Sequence, residues 1–116
     1  MPQTLKPFLS IITPCYNEEA ILENHIKVIV DYLEARKEKY SWEILIIDDG
    51  SKDKSGVIAD KLAENNPDIK VIHHPVNLNL GRALQTGFRH AKGDILVVLD
   101  IDLSYSVDHI DKMVDK

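Results

Sequence analysis

Three apolar runs in this chain end in polar clusters: Pro14-Cys15-Tyr16-Asn17-Glu18-Glu19, Asp48-Asp49-Gly50-Ser51 and Asp100-Ile101-Asp102. Asp100 and Asp102 are two positions apart, so on extended backbone both carboxylates fall on one face. Convergent carboxylates are costly unless water or a cation compensates them. A hard divalent ion, Mg2+ or Mn2+, prefers oxygen ligands and often takes one or two carboxylates plus ligand phosphates. Ser104 can add a hydroxyl or a water-mediated contact. Alone, Asp-x-Asp reads as the start of a solvated loop; beside the other two clusters it reads as a metal site.

The remaining clusters suit a nucleotide. Either Asp48 or Asp49 can accept a hydrogen bond from the imide N–H of a base such as uracil, while Gly50 and Ser51 supply turn chemistry and a helix N-cap. Tyr16 offers an aromatic face on which a base can stack. Asn17 reads as an N-cap, and Glu18 and Glu19 suit the first turn of a helix, where the macrodipole favours acids. Gly81-Arg82 opens a helix whose free N–H groups, with the guanidinium, can meet a diphosphate. His73-His74 reads as structural or solvated, and Cys15 as a small residue in a packed turn, without a partner base.

Alternating elements must position these groups. Phe8 to Thr13 is a short β-branched run stopped by Pro14, a buried strand. Leu22, Ile26, Ile29 and Leu33 then recur at 4, 3 and 4 spacing within a helix from Glu18 to about Lys37. Trp42 to Ile47 is a second strand, and about Asp53 to Glu64 a helix capped by Ser51. Ile69 to His73 is a third strand. Gly81 to Ala91 is a helix with a stripe of Leu84, Phe88 and Ala91, ended by Gly93. Ile95 to Leu99 is the most apolar strand, and Ser106 caps a last short helix. The order βαβαβαβα predicts a three-layer α/β/α domain with a mostly parallel sheet, its strands covered on both faces. Ligands bind outside the carboxyl ends of such strands, where all three clusters fall.

At 116 residues there is room for one core, and 44% hydrophobic with 28% charged residues is ordinary for a globular protein. The net charge of -5, with Lys and Arg dispersed, argues against a nucleic-acid partner. One cysteine, Cys15, excludes an intrachain disulfide and fits a cytoplasmic setting. No signal peptide is evident, and no apolar run approaches the roughly 20 residues that span a bilayer. Neither the Gly-x-Gly-x-x-Gly dinucleotide fingerprint nor a P-loop is present.

Taken together, the clusters resemble family 2 glycosyltransferases of the GT-A fold. The resemblance rests on Ser10 to Glu19, Ile46 to Asp53, Asn79-Leu80-Gly81-Arg82-Ala83, Gly87, Ala91 to Asp94 and Leu99 to Ser104. Asp-Ile-Asp-Leu-Ser is most similar to the polyprenyl-phosphate branch, the dolichyl-phosphate mannose or glucose synthases. It implies a Rossmann-like nucleotide-binding half in residues 1–116, ending after the Asp-x-Asp motif. Pro14, Tyr16, Asn17 and Glu18 would line the nucleoside pocket, Asp49 would bind the base, and Asp48 would lie nearer the core. Gly81 and Arg82 would lie near the phosphates, and Asp100, Asp102 and Ser104 would hold Mg2+ or Mn2+, Asp100 also facing the nucleotide. Val107 stands where the family's helix often begins with proline.

The implied activity is inverting hexose transfer from a UDP- or GDP-sugar to an acceptor such as a polyprenyl phosphate. The implied setting is the cytoplasm, or for a longer protein the cytoplasmic face of a membrane. No catalytic base is expected within residues 1–116, which should bind donor but turn over little. The competing class is a non-catalytic nucleotide-binding or regulatory module. A phosphate-receiving signalling domain fits less well, because the third strand ends in His73-His74 rather than in an acceptor aspartate. An uncovered sheet edge would also favour a homo-oligomer.

Overall fold

The computed structural model describes residues 6–99 and residue 101. Asp100, Asp102, Ser104 and the helix expected from Ser106 lie outside the described residues. The described chain runs β1 (Phe8–Cys15), α1 (Leu22–Glu34), β2 (Ser41–Asp48), α2 (Ser55–Asn65), β3 (Ile69–His73), α3 (Leu80–His90), β4 (Ile95–Val98). The four strands form one sheet in the order β3-β2-β1-β4, every pairing parallel. The expected three layers are present. Leu22, Ile26, Ile29 and Leu33 of α1 and Ala59 of α2 pack with Leu9, Ile11, Ile44 and Ile46 on one face. Ala83 of α3 packs with Ile12, Leu45 and Ile47 on the other. Each buried Leu or Ile contributes about 1.5–3 kcal/mol, so the α1 face is the principal source of stability.

The strand order decides where function can lie. The chain moves outward from β1 to β2 to β3, then returns across to β4 on the other side of β1. The carboxyl ends of β1 and β4 therefore flank the point where the winding reverses, the usual place for a ligand crevice.

Several boundaries differ from expectation, each for a local reason. Pro14 does not stop β1, which continues to Cys15. Ile12 O accepts from Leu99 N on the β4 side, so Pro14, two residues on, also faces that side. The last β1–β4 pair is Ile12↔Val98, so no ladder bond is lost at the proline. Asn17 does not cap α1. It has φ 53°, and the turn before α1 is closed by Ile21 N and Leu22 N donating to Glu18 O at 3.1 and 2.9 Å. Ser51 does not cap α2, which begins only at Ser55. Phe88 is 48% exposed rather than core, because α3 turns its small residues Ala83 and Gly87 onto the sheet. Gly93 is no left-handed helix cap. The helix ends at Ala91 in extended backbone, and a Cβ on Gly93 would meet Ser10 Oγ at 2.6 Å. Among the described residues α3 packs on β1 and β2, and Leu96 and Val98 of β4 are exposed.

At the amino edge of the sheet lies a charge that the apolar reading of β2 passed over. Glu43 is buried, with Oε2 accepting from Ser10 Oγ at 2.7 Å and Lys92 N at 2.8 Å, and Oε1 3.5 Å from Lys70 Nζ. Burial alone would raise its pKa, but the donors from Ser10 and Lys92 and the Lys70 ammonium hold it below the usual carboxylate range. The group thus ties β2 to β1 and to the α3–β4 turn. A folded-state pKa that is lowered gives stability present above the unfolded value and lost as pH falls through the folded one. Glu43→Gln should cost about 1–3 kcal/mol at neutral pH, and the gap to wild type should close as pH falls below the ordinary 4.5. Urea denaturation of both proteins across this range measures it; a gap independent of pH would refute the ionised hub.

Candidate functional site

The loop after β1 and the loop after β2 are stitched together by backbone donors and side-chain acceptors. Asn17 N donates to Ser51 Oγ at 3.0 Å and Lys52 N returns to Asn17 Oδ1 at 2.8 Å. Glu18 N donates to Ser55 Oγ at 2.8 Å, Glu19 N to Asp53 Oδ2 at 3.1 Å, and Lys54 N to Glu19 Oε1 at 3.1 Å. This explains the missing cap on α2: Ser51 Oγ serves the neighbouring loop, while Asp53 Oδ1 accepts from Ser55 N at 2.8 Å.

The two aspartates at the end of β2 divide their work. Asp48 Oδ1 accepts from Ser51 N at 3.0 Å and Oδ2 from His73 Nδ1 at 2.7 Å. Asp49 is held by the loop after β3. Its Oδ1 accepts from Leu78 N at 2.9 Å and His74 Nδ1 at 2.8 Å, and its Oδ2 from Asn77 Nδ2 at 3.1 Å. Gly50 lets that loop approach. Its φ is +71°, and a Cβ there would collide with the Val76 carbonyl carbon and the Asn77 nitrogen. Both aspartates are nearly fully buried.

Over the carboxyl ends of β1 and β2 lies a cavity of about 210 Å3 lined by Pro14, Cys15, Tyr16, Asp49, Asn77, Asn79, Leu80 and Ala83. Complete small-molecule sites run to roughly 300–1,000 Å3, so this cavity is smaller than such a site. Tyr16, 40% exposed, presents its ring at the rim. The start of α3 forms another wall, where Asn79 at φ 83° caps the helix by accepting from Arg82 N at 3.3 Å. Cys15 is buried there, its thiol pushed up to about 11 by burial, so it is no thiolate nucleophile.

Of the expected site residues, Pro14, Tyr16 and Asp49 are thus brought together on one cavity. Asn17 and Glu18 stand beside it on the stitched loops rather than on its wall. Gly81 and Arg82 sit in the first turn of α3, next to the wall residues Asn79 and Leu80, with Arg82 exposed. The expected metal ligands Asp100, Asp102 and Ser104 lie outside the described residues, among which no three His, Cys, Asp or Glu side chains gather to hold a metal. Leu99, immediately before Asp100, is fixed by its N–H on Ile12 O at 3.0 Å and its carbonyl on Thr13 Oγ1 at 2.7 Å. Sequence reasoning missed Asn77, Asn79, His74 and Thr86. Only the pairing of β2 with β3, which sets His73 opposite Asp48, brings this loop to the aspartates.

A parallel α/β sheet with a cavity at the carboxyl ends of its strands defines the doubly wound α/β class of domain, which binds ligands at that edge. Within that class the chain belongs to glycosyl transferase family 2, whose pattern matches residues 10–116. It is 38% identical over 104 residues to a dolichyl-phosphate beta-glucosyltransferase of Trichomonas vaginalis, covering 87% of this chain and 32% of that protein. An undecaprenyl-phosphate 4-deoxy-4-formamido-L-arabinose transferase of Edwardsiella ictaluri is 34% identical over 110 residues, covering 93% and 33%. Among solved structures, a mannosyltransferase of Pyrobaculum calidifontis in complex with GDP-Man and Mn2+ superposes with a TM-score of 0.77 at 28% identity, covering 96% of this chain and 32% of that one. The GT-A expectation for the fold therefore holds. The chain spans about a third of the length of these relatives.

His73 bridges α2 to the end of β2. Its Nδ1 lies 2.7 Å from Asp48 Oδ2 and its Nε2 2.8 Å from Asp60 Oδ1. Carboxylates only accept, so the ring donates to both only in its protonated form. The hydrogen bonds to Asp48 and then Asp60 raise its pKa above the ordinary 6.5. A raised folded-state pKa gives stability fully present below the unfolded value and lost as pH rises through the folded one. The ring is 41% exposed, so solvent screening limits the effect to about 1 kcal/mol or less. Wild type should lose stability relative to His73→Asn as pH is raised upward from 6.5, read by chemical denaturation at several pH values. Parallel pH curves would refute the bridge.

Proposed function

We propose that the intact protein is a metal-dependent, inverting glycosyltransferase that moves a hexose from a UDP- or GDP-sugar to a polyprenyl phosphate. The observation that carries this reading is the cavity that combines Tyr16, Pro14 and the Asp49 carboxylate beside the switch point of a family 2 chain. In it Tyr16 stacks on the base, Asp49 accepts a ring N–H, and the start of α3 with Gly81 and Arg82 faces the phosphates. Asn17 and Glu18 hold the nucleoside side of the pocket in shape through the loop stitching. Relatives named for dolichyl- and undecaprenyl-phosphate transfer support the acceptor class.

Asp100, Asp102 and Ser104 would hold Mg2+ or Mn2+, which when bound supplies Lewis-acid stabilisation to the leaving nucleoside diphosphate. The fold positions the donor, and such positioning supplies much of the remaining acceleration. A phosphate acceptor has a second pKa of roughly 6 and is largely ionised at neutral pH. It can attack the anomeric carbon on the face opposite the breaking carbon–oxygen bond, inverting that centre without a protein base. In this reading residues 1–116, about a third of the length of the relatives, bind donor and turn over little or nothing. No described helix is long and apolar enough to cross a membrane, and the reading places the intact enzyme at the cytoplasmic face of one. Leu96 and Val98 on the open face of β4 suit self-association of this chain.

Calorimetric titration of UDP and GDP, with and without Mn2+, tests the donor site. One nucleotide should bind in a metal-dependent way, and Asp49→Asn should weaken it about tenfold or more, as expected for a lost bond to a charged acceptor. Asp100→Ala/Asp102→Ala should abolish the metal dependence. A folded chain that binds neither nucleotide would defeat the reading.

A further inference from the structure

A carboxylate offers about four lone-pair positions. Asp49 has three of them filled: Oδ1 by Leu78 N–H and His74 Nδ1, Oδ2 by Asn77 Nδ2. The remaining acceptor is a single position on Oδ2 of a residue that lines the cavity and whose side chain is only 5% exposed. His74 is as secluded, at 8% exposure, and lies in the loop that carries no expected site residue. Its Nδ1 must carry a proton, because its partner there only accepts. At the other end of the ring, Nε2 lies 2.8 Å from Thr86 Oγ1 of α3. That hydroxyl can donate to the bare nitrogen or accept from its N–H, and either way it holds the far end of the ring. The line Thr86–His74–Asp49 therefore runs from α3 through the β3–α3 loop to the end of β2.

Resting on the nucleotide reading above, we propose that His74, set by Thr86, is a positioning residue that holds Asp49 as a one-acceptor reader of a base's ring N–H. Uracil at N3 and guanine at N1 present that N–H on the Watson–Crick edge. Cytosine and adenine present a bare ring nitrogen there, which faces the carboxylate lone pair with repulsion. The discrimination depends on the carboxylate staying in one orientation. If Asp49 rotates, its two oxygens redistribute among Leu78, Asn77 and the ligand, and an exocyclic amine of cytosine or adenine becomes an acceptable donor. His74 prevents that rotation because it occupies Oδ1 from a ring that cannot itself swing while Thr86 holds its far nitrogen. A merely structural histidine would affect every nucleotide equally; a positioning one controls the ratio between them.

The test is calorimetric titration of UDP, GDP, CDP and ADP against the wild-type chain, His74→Phe, His74→Asn and Thr86→Val, each checked for folding by circular dichroism. Wild type should prefer UDP or GDP over CDP and ADP by about tenfold or more. His74→Phe keeps a ring but donates nothing, and should lose most of that preference. His74→Asn places an amide N–H near the lost Nδ1–H and should restore much of it; Thr86→Val should show a partial loss. An unchanged preference in folded His74→Phe, or a uniform loss across all four nucleotides, overturns the positioning role and leaves the pocket reading standing. A folded wild type that binds none of the four, or all four alike, overturns the pocket reading and this inference together. Nitrogen-15 NMR of the wild-type imidazole is independent of ligand and of the variants' folding: an Nε2–H neutral tautomer for His74 would also overturn the proposal.

Discussion

The end of β2 carries two adjacent carboxylates under almost complete burial, and the surrounding architecture is organised around satisfying them. An isolated buried charge is costly, and the cost falls only if donors are arranged about it. Asp48 draws in Ser51 N and His73, and Asp49 draws in Leu78 N, His74 and Asn77. The donors come from different connections, so the aspartates fix the turn after β2 and the loop after β3 at once. Gly50 is part of the same constraint, since the β3–α3 loop can reach Asp49 only across a residue without a side chain. Asn77 strengthens the closure by donating also to the Asp49 carbonyl at 3.2 Å.

The amino edge of the sheet solves the same problem with Glu43. There the donors come from β1 and from the α3–β4 turn, and they hold β1, β2 and the start of β4 in register. The hub lies far from the cavity and needs no ligand to explain it. At the carboxyl edge, by contrast, Asp49 lines a cavity. That difference separates a structural carboxylate from one available to a partner. Asp48, whose oxygens face the Ser51 turn and His73, is not among the residues that line the cavity.

Between these edges the apolar layers do the routine work of folding. α1 and α2 cover one face with Leu and Ile side chains, while α3 approaches the other through Ala83 and Gly87. The close approach of α3 puts Asn79 and Leu80 on the cavity wall and Thr86 within reach of His74. Packing of small residues thus decides the shape of the candidate site as much as its polar groups do. Thr13 extends the same logic toward β4, where its hydroxyl holds the Leu99 carbonyl at the threshold of the Asp-x-Asp motif.

The sequence by itself determined the element order, the parallel three-layer class, and the positions of the polar clusters, because apolar periodicity and turn residues are local signals. It also pointed to the family, through motifs spread along nearly the whole chain, and the family pattern matches residues 10–116. Tyr16 was legible as a candidate from its place after a strand, whereas Pro14 and the choice of Asp49 over Asp48 came from the family resemblance; the structure brings the three onto one cavity. What only the tertiary structure decided were matters of register and donor supply. The helix caps assigned to Asn17 and Ser51 went instead to bonds between loops 34 and 35 residues apart. A cap is a default for a polar side chain beside a helix, and a neighbouring loop with free N–H groups outcompetes it. Glu43 was invisible because one acid inside an apolar run carries no sign of its partners. His74 was read as structural for want of a nearby ligand in sequence; β2–β3 pairing and the approach of α3 supplied Asp49 and Thr86. Long-range pairing, unlike periodicity, is written in no single segment of the chain.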